Sequence, residues 1–245
     1  MLDSAQLYPL TQDSPSLVDL GSGDGRIVVT AARRFGASGL GVEIVPELVA
    51  RSRANAERAG VAARAEFREQ DLFKTDLSRA SVITMYLLQE VNMALRPSLL
   101  ALRPGTRVVS HDWDMGDWQP DVTTIVPVPD KAVGREKLSR IHLWVVPARV
   151  EGLWCGSGGW RGSSLRLSQR HQLVEGTLTR REGEVVRTRA MRGRIDGAAV
   201  ALMGAGGAGS ALALRAAGDA LQAEPGAGPL AGALLRRAAG ASCEG

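Results

Sequence analysis

The sequence contains few cysteines, few aromatic residues and no long apolar run. Its two cysteines, Cys155 and Cys243, are too few for a disulfide framework or a four-ligand zinc site, and no His/Cys/Asp cluster has the spacing of metal ligands. No apolar stretch approaches the roughly 20 residues of a membrane span, and the N-terminus lacks the basic and apolar regions of a secretory signal. We therefore expect a cytoplasmic protein without a metal site.

Positive charge is concentrated in the C-terminal part. Residues 151–245 carry 12 arginines, no lysine and 8 acidic residues, whereas the charges of residues 1–150 balance. A nucleic-acid surface would need these arginines on one face, and the segment lacks the interleaved aromatic residues of a base-stacking platform. The sequence therefore carries no clear nucleic-acid signal, and a solvated basic face is the favoured interpretation.

Short apolar strands alternate with helical segments over the first 148 residues. Five strands are predicted in this order, at residues 17–20, 39–43, 64–71, 82–88 and 107–113. The alternation predicts an α/β domain over residues 1–148, with a Rossmann-like, mostly parallel sheet and flanking helices. The helix after the fourth strand is expected to be interrupted at Arg96–Pro97.

The pattern changes after residue 148. Apolar and polar residues alternate over residues 149–203, which predicts a small antiparallel β-domain, either a barrel or a sandwich. Residues 204–245 are rich in Ala and Gly, so we expect a poorly ordered tail or a marginal helix. Residues 204–209 match G-x-G-x-x-G, but too little chain follows Glu224 to complete a nucleotide-binding sheet, and a linker is the favoured interpretation.

The strongest local signal is the turn DLGSGDG at residues 19–25, between the first strand and the first helix. A glycine-rich turn of this kind presents backbone N–H groups and lets a ligand approach the main chain closely. A carboxylate at Asp19 would repel a diphosphate but would pair with an ammonium group. The turn is therefore predicted to hold a zwitterionic amino-acid moiety against Asp19, Gly21, Ser22 and Gly23.

Acidic residues also end the next two strands. Glu43 closes the second strand, where an acidic side chain can accept hydrogen bonds from both hydroxyls of a ribose. Asp71 closes the third, where its carboxylate can accept from an adenine amine while Leu72 flanks the ring. Because the carboxyl ends of parallel strands share one edge of the sheet, these residues predict a single nucleoside site.

The segments VDLGSGDGR, GVE and QDL together resemble those of class I S-adenosylmethionine-dependent methyltransferases. The stretch from MYLLQEV to HDWDMGDW is similar to bacterial relatives of the FAM173-type protein-lysine methyltransferases. The resemblance covers residues 17–147.

The resemblance implies S-adenosyl-L-methionine as the cofactor and a protein lysine as the methyl acceptor. It implies that Asp19, Gly21 and Gly23 hold the methionine part, Glu43 the ribose and Asp71 the adenine. Members of the family usually carry a longer segment than the 16 residues before Leu17, so we expect either a more open pocket or a truncated chain.

Candidates for the acceptor side follow the fourth and fifth strands. Tyr86 lies near the end of the predicted fourth strand, and His111 and Asp112 lie near the end of the fifth. These three are the predicted catalytic residues. Trp113 and Trp118 would suit the wall of a channel for a cationic acceptor, or else belong to the core.

The motifs that the sequence lacks exclude several classes of methyl acceptor. No Asn/Asp-Pro-Pro-aromatic sequence follows the fourth strand, which argues against an adenine, cytosine-N4 or glutamine methyltransferase. Both cysteines lie outside the catalytic half, which leaves a thiol mechanism unsupported. A protein-lysine methyltransferase is favoured, with a small-molecule N- or O-methyltransferase and a non-catalytic nucleotide-binding scaffold as the alternatives.

Overall fold

The computed structural model of the protein describes residues 16–131, 137–204, 211–224 and 232–243, without the side chain of Glu182. The N-terminal segment before Ser16, considered above for the openness of the pocket, lies outside these ranges. The chain divides into two compact units between Val146 and Pro147. None of the helices in the described ranges has the length and apolar character that a bilayer crossing requires.

The first unit is a seven-stranded sheet with helices. The elements are β1 (Ser16–Leu20), α1 (Arg26–Phe35), β2 (Ser38–Glu43), α2 (Pro46–Arg58), β3 (Ala65–Glu69), β4 (Val82–Met85), α3 (Gln89–Leu100), β5 (Arg107–His111), β6 (Val122–Pro127) and β7 (Leu138–Val145). The strand order is β3-β2-β1-β4-β5-β7-β6. Strands β1 to β5 are parallel, and β7 pairs antiparallel with both β5 and β6. The expected Rossmann-like, mostly parallel sheet is confirmed.

Helices cover both faces of this sheet because its central strands are apolar on both sides. Leu17 and Val82 pack in one buried cluster with residues of α1 and α2. Their neighbours Val18 and Ile83 point to the opposite face and pack with α3. Packing on both faces holds the strands firmly, so the residues that follow them are fixed at the carboxyl edge.

Helix α3 is continuous through Pro97, so the interruption expected at Arg96–Pro97 is wrong. A proline inside a helix removes one backbone hydrogen bond. Leu95 and Leu99, on either side of the proline, are almost fully buried, and the Arg96 guanidinium donates to the Met115 carbonyl at 3.0 Å. These tertiary contacts keep the helix intact across the proline.

The second unit is a closed antiparallel barrel of eight strands among its described residues. The strands are β8 (Gly152–Ser157), β9 (Ser164–Arg170), β10 (Leu173–Glu182), β11 (Val185–Asp196), β12 (Ala199–Gly204), β13 (Leu212–Ala217), β14 (Ala220–Ala223) and β15 (Leu234–Arg237). Consecutive strands pair, and β15 returns to β8. The expected small antiparallel β-domain is confirmed as a barrel, with buried apolar side chains inside it.

Three barrel strands come from the segment that we expected to be a poorly ordered tail. Leu212, Leu214, Leu221 and Leu235 point inward and are buried, so this expectation fails for the residues that the structure describes. The Ala/Gly-rich composition hides a period-two pattern of leucines, and barrel closure supplies each strand with partners on both sides. Gly204 ends β12, while the rest of the GAGGAG stretch lies outside the described residues.

The two cysteines form a disulfide, Cys155–Cys243, which joins β8 to the chain beyond β15. The residues are 88 positions apart in the sequence. Closure of the barrel sets Cys155 opposite Arg236 in the β8–β15 pair, and this brings the C-terminal end within reach. A single disulfide was not expected, because two cysteines are too few for a framework of several bonds.

Candidate active site

The turn after β1 is built from three left-handed glycines, Gly21, Gly23 and Gly25, at φ values of 71°, 55° and 76°. At Gly25 a β-carbon would lie 2.6 Å from the Phe67 ring, so this glycine allows close packing. At Gly23 a β-carbon would meet no atom within 4 Å among the described residues. The turn therefore leaves open space beside Gly23.

Three N–H groups of this turn, which was expected to present its amides to a ligand, donate within the fold. The amides of Gly21 and Ser22 both donate to the Val42 carbonyl at 2.9 Å, and the Gly23 amide donates to Glu43 Oε2 at 3.0 Å. The Ser22 hydroxyl is buried against Gly41, where a β-carbon would approach it to 2.7 Å. The structure thus places Ser22 in the support of the turn.

Asp19 is a buried carboxyl at the end of β1, with 2% of its surface exposed. Thr84 Oγ1, on the neighbouring strand β4, donates a hydrogen bond to Asp19 Oδ1 at 2.6 Å. Burial raises the pKa of Asp19 to about 7, and the Glu43 charge adds to this against the opposing effect of Thr84. A cation placed beside Asp19 would therefore be strongly attracted.

Glu43 links the end of β2 to the glycine turn. In addition to Gly23, it accepts through Oε1 from the amides of Ile44 at 2.8 Å and Val45 at 3.1 Å. A carboxylate offers about four lone-pair positions, so the half-buried Glu43 retains acceptor capacity for hydroxyl groups.

Asp71 and Leu72 follow β3 at the same edge of the sheet. Asp71 Oδ1 accepts from the Phe73 amide at 2.9 Å, which caps the short 3₁₀ helix Leu72–Lys74. Leu72 is half-buried and packs against the cluster under α3. The structure thus brings Asp19, Glu43 and Asp71 to the carboxyl ends of three strands that lie side by side.

Tyr86 and His111 are in ring contact beyond β4 and β5, with their centroids 4.0 Å apart. Tyr86 is 53% exposed. Burial lowers the pKa of His111, and Lys131 also lowers it, while Asp112 partly opposes the shift. His111 is therefore mainly neutral near pH 7, which is the form that can accept a proton.

Asp112 is held from two sides and has a left-handed backbone, with φ at 64°. Its Oδ2 accepts from Lys131 Nζ at 2.7 Å, and its Oδ1 accepts from the Arg140 amide at 2.8 Å. Burial acts to raise the pKa of Asp112, but the Lys131 and Arg140 hydrogen bonds outweigh it and lower the value. Asp112 is thus held beside His111, with its Oδ2 3.6 Å from His111 Nε2.

Sequence reasoning missed three residues that organise this edge: Thr84, Asn92 and Lys131. Thr84 is the polar member of an otherwise apolar strand, which was an available signal. Asn92, fully buried in α3, donates to the Ser110 hydroxyl at 3.0 Å and the Trp113 carbonyl at 3.1 Å. Lys131 lies on the loop between β6 and β7, and no sequence signal ties it to Asp112.

The two candidate wall tryptophans have different environments. Trp118 is fully buried in the core, whereas Trp113 is 41% exposed. The alternative interpretation, that the tryptophans belong to the core, therefore holds for Trp118 and not for Trp113.

Residues 19–122 match the ANTKMT methyltransferase domain. A protein-lysine N-methyltransferase of Saccharolobus islandicus is 47% identical over 117 residues, which are 47% of this chain and 72% of that protein. The chain belongs to this methyltransferase family. Mouse adenine nucleotide translocase lysine N-methyltransferase is 39% identical over 105 residues, which are 42% of this chain and 46% of that protein. The match therefore spans less than half of that relative.

A solved methyltransferase is similar in both sequence and structure. It is described as an RNA methyltransferase of Salinibacter ruber in complex with S-adenosyl-L-homocysteine; it is 47% identical, with a TM-score of 0.53, over 61% of this chain and 89% of that one. This chain is thus a class I methyltransferase that uses S-adenosyl-L-methionine. The open space at Gly23 fits the methionine part of that cofactor, and the buried Asp19 carboxyl fits its ammonium group.

Proposed function

We propose that this chain is a protein-lysine N-methyltransferase whose activity resides in residues 1–148, with the eight-stranded barrel of residues 152–237 as a separate β-domain. The relatives named as lysine N-methyltransferases support the acceptor class. The observation that carries the proposal is the carboxyl edge itself, where Tyr86, Leu88 and Trp113 are exposed beyond β4 and β5. An open edge with aromatic faces suits a lysine on a protein surface.

On this proposal, the cofactor is held by the residues that end the first three strands. Asp19, Gly21 and Gly23 hold the methionine part, with the Asp19 carboxylate on its ammonium group; Glu43 accepts from the ribose; Asp71 and Leu72 hold the adenine. Bound S-adenosyl-L-methionine supplies an electrophilic methyl group on a positively charged sulfur. The protein supplies orientation, exclusion of water and a deprotonated amine.

The acceptor amine must lose a proton before it can attack. The neutral His111 ring, which contacts the Tyr86 ring at a tilt of 37°, is the proposed acceptor of this proton. The 2.7 Å ion pair of Asp112 with Lys131 ties the residue after His111 to the segment that follows β6. In this pair the Asp112 carboxylate binds the ammonium group of Lys131. The side chain of a substrate lysine ends in the same ammonium group.

Acceptor class is tested by incubating the protein and tritiated cofactor with a cell lysate that is then separated into protein, RNA and small-molecule fractions. We expect label in protein, with methyl-lysine after hydrolysis. Label confined to small molecules would favour the small-molecule alternative, and label confined to RNA would favour the activity named for the Salinibacter relative. No transfer despite cofactor binding would favour a scaffold.

His111→Asn is expected to lower kcat by about 10²-fold or more, because a positioned general base contributes that much. In the wild type, kcat should fall as the pH drops below the lowered pKa of His111, since protonation removes the base. The variant should lose this acidic limb and keep its cofactor affinity. Steady-state kinetics between about pH 5 and 9, on either side of the ordinary histidine pKa, provide the measurement.

Tyr86→Phe separates the predicted catalytic role of the Tyr86 hydroxyl from that of the His111 ring. It keeps the ring contact and all charges, so the acidic limb should persist in this variant. An acidic limb that persists unchanged in His111→Asn would assign the base to another group.

The cytoplasmic location expected from the sequence stays a prediction. The Cys155–Cys243 disulfide bears on it, because disulfides persist mainly in oxidising compartments. Alkylation of the thiols in intact cells, read as a mass shift, would distinguish the two environments.

A further inference from the structure

The arginines of the second unit are concentrated on one side of the barrel. Strands β9, β10 and β11 alternate between inward and outward residues. Their outward positions carry the five arginines that we call the arginine face: Arg166, Arg170, Arg181, Arg192 and Arg194. Among the described residues, the only arginines at outward positions of the other five strands are Arg215 and Arg236.

Three shallow depressions run along the arginine face. Arg166 and Arg181 line the first, Arg166 and Arg192 the second, and Arg170 and Arg192 the third. Neighbouring depressions share an arginine, Arg166 or Arg192, so they lie side by side, and we call the three together the trough.

Hydroxyl side chains accompany the arginines in this trough, namely Ser164, Ser168, Thr177 and Thr179. Arginine forks and Ser/Thr hydroxyls are the groups that contact phosphates in nucleic-acid complexes. Outward residues repeat about every 6.8 Å along a strand, with neighbouring strands about 4.8 Å away. This arrangement presents a two-dimensional array of cations to a row of phosphates.

Acidic and aromatic residues decide what kind of polyanion fits. In the part of these three strands that the structure describes, the outward acidic side chains are Glu175, which lies opposite Arg192, and Asp196 at the end of β11. Glu151, which precedes β8, also lines the second depression. The outward positions carry no aromatic side chain, so bases have no stacking platform. Contacts to the phosphates on the outside of a duplex need no stacking platform.

We propose that the arginine face binds the phosphate backbone of double-stranded nucleic acid without reading its sequence. The binding is electrostatic and weakens steeply with salt. It does not depend on the acceptor of the methyl group.

The test is fluorescence anisotropy of the full chain with labelled RNA and DNA duplexes of one sequence, from about 50 to 200 mM salt. Arg181→Ser/Arg192→Ser should weaken binding by about tenfold or more at low salt, and lower the slope of log Kd against log salt by about 2, for two lost phosphate contacts. Glu175→Gln should tighten binding. Binding of either duplex with these changes supports the proposal.

The matched control is Arg33→Ser/Arg34→Ser, which removes two exposed arginines from α1 with the same change in net charge. It should bind like the wild type. Equal weakening in both double variants would reduce the effect to net charge and overturn the proposal. Failure of the wild type to bind either duplex would overturn it too, as would equally tight binding of polyglutamate, which would indicate an acidic protein partner.

Discussion

Asp19→Asn is expected to abolish useful cofactor binding while making the protein more stable. The substitution keeps the shape of the side chain and an oxygen for the Thr84 hydroxyl, but it removes the negative charge. Charge-assisted hydrogen bonds to an ammonium contribute about 1.5–3 kcal/mol each, so the Kd for S-adenosyl-L-methionine should rise by about 10²-fold. Isothermal titration at about pH 8, where the wild-type carboxyl is ionised, measures this loss.

The gain in stability follows from the raised pKa of Asp19. Its pKa in the folded protein is about 7, against an ordinary value of 3.8, so the unfolded chain loses this proton first. The wild type therefore loses stability as the pH rises from about 4 to 7, by up to about 4 kcal/mol at 1.36 kcal/mol per unit. The asparagine variant escapes this cost, so its advantage is absent below pH 3.8 and complete above pH 7.

Asp24→Asn is the matched control for both effects. Asp24 lies in the same turn but is paired with Arg26 at 2.8 Å, and the Arg26 hydrogen bond lowers the pKa of Asp24. Its loss should slightly destabilise the protein at neutral pH and leave cofactor affinity almost unchanged. Urea denaturation at about pH 4.5 and about pH 8 measures the stability of both variants, which should change in opposite directions. If Asp19→Asn binds the cofactor as tightly as the wild type does, the ammonium group of the cofactor does not lie beside Asp19.

The Cys155→Ser/Cys243→Ser variant is expected to lose much of the stability of the barrel. The bond closes a loop of 88 residues, for which the chain-entropy argument gives about 4–5 kcal/mol, with measured losses typically about 2–4 kcal/mol. For a unit of this size, such a loss should lower the midpoint of barrel melting by about 10 °C or more. Thermal denaturation with hydrogen exchange of peptides from β8 and β13–β15 provides the measurement.

Dithiothreitol supplies the control for this prediction. It should destabilise the wild-type barrel as much as the double substitution does, and should have no further effect on the variant. Cofactor affinity should not change, since the proposed cofactor residues lie in the first unit. Equal exchange protection in oxidised and reduced protein would mean that the disulfide contributes nothing to the barrel.

The cofactor edge was more predictable from sequence than the acceptor edge. Asp19, Glu43 and Asp71 end short apolar strands, and parallel strands bring their carboxyl ends to one edge whatever their length. The residues beyond β4 and β5 follow no such rule. The contact of Tyr86 with His111 was foreseeable from neighbouring strands, but the ion pair of Asp112 with Lys131 depends on the antiparallel return of β6 and β7.

The amino-acid pattern alone determined the α/β class of the first unit, the glycine turn, the acids at the strand ends and the antiparallel nature of the second unit, because these depend on local periodicity. Tertiary structure decided the rest. It closed the barrel with an Ala/Gly-rich segment, paired two cysteines 88 positions apart, carried α3 through its proline and gathered five arginines on one face. Each of these depends on contacts between residues far apart in the chain, which no local pattern specifies.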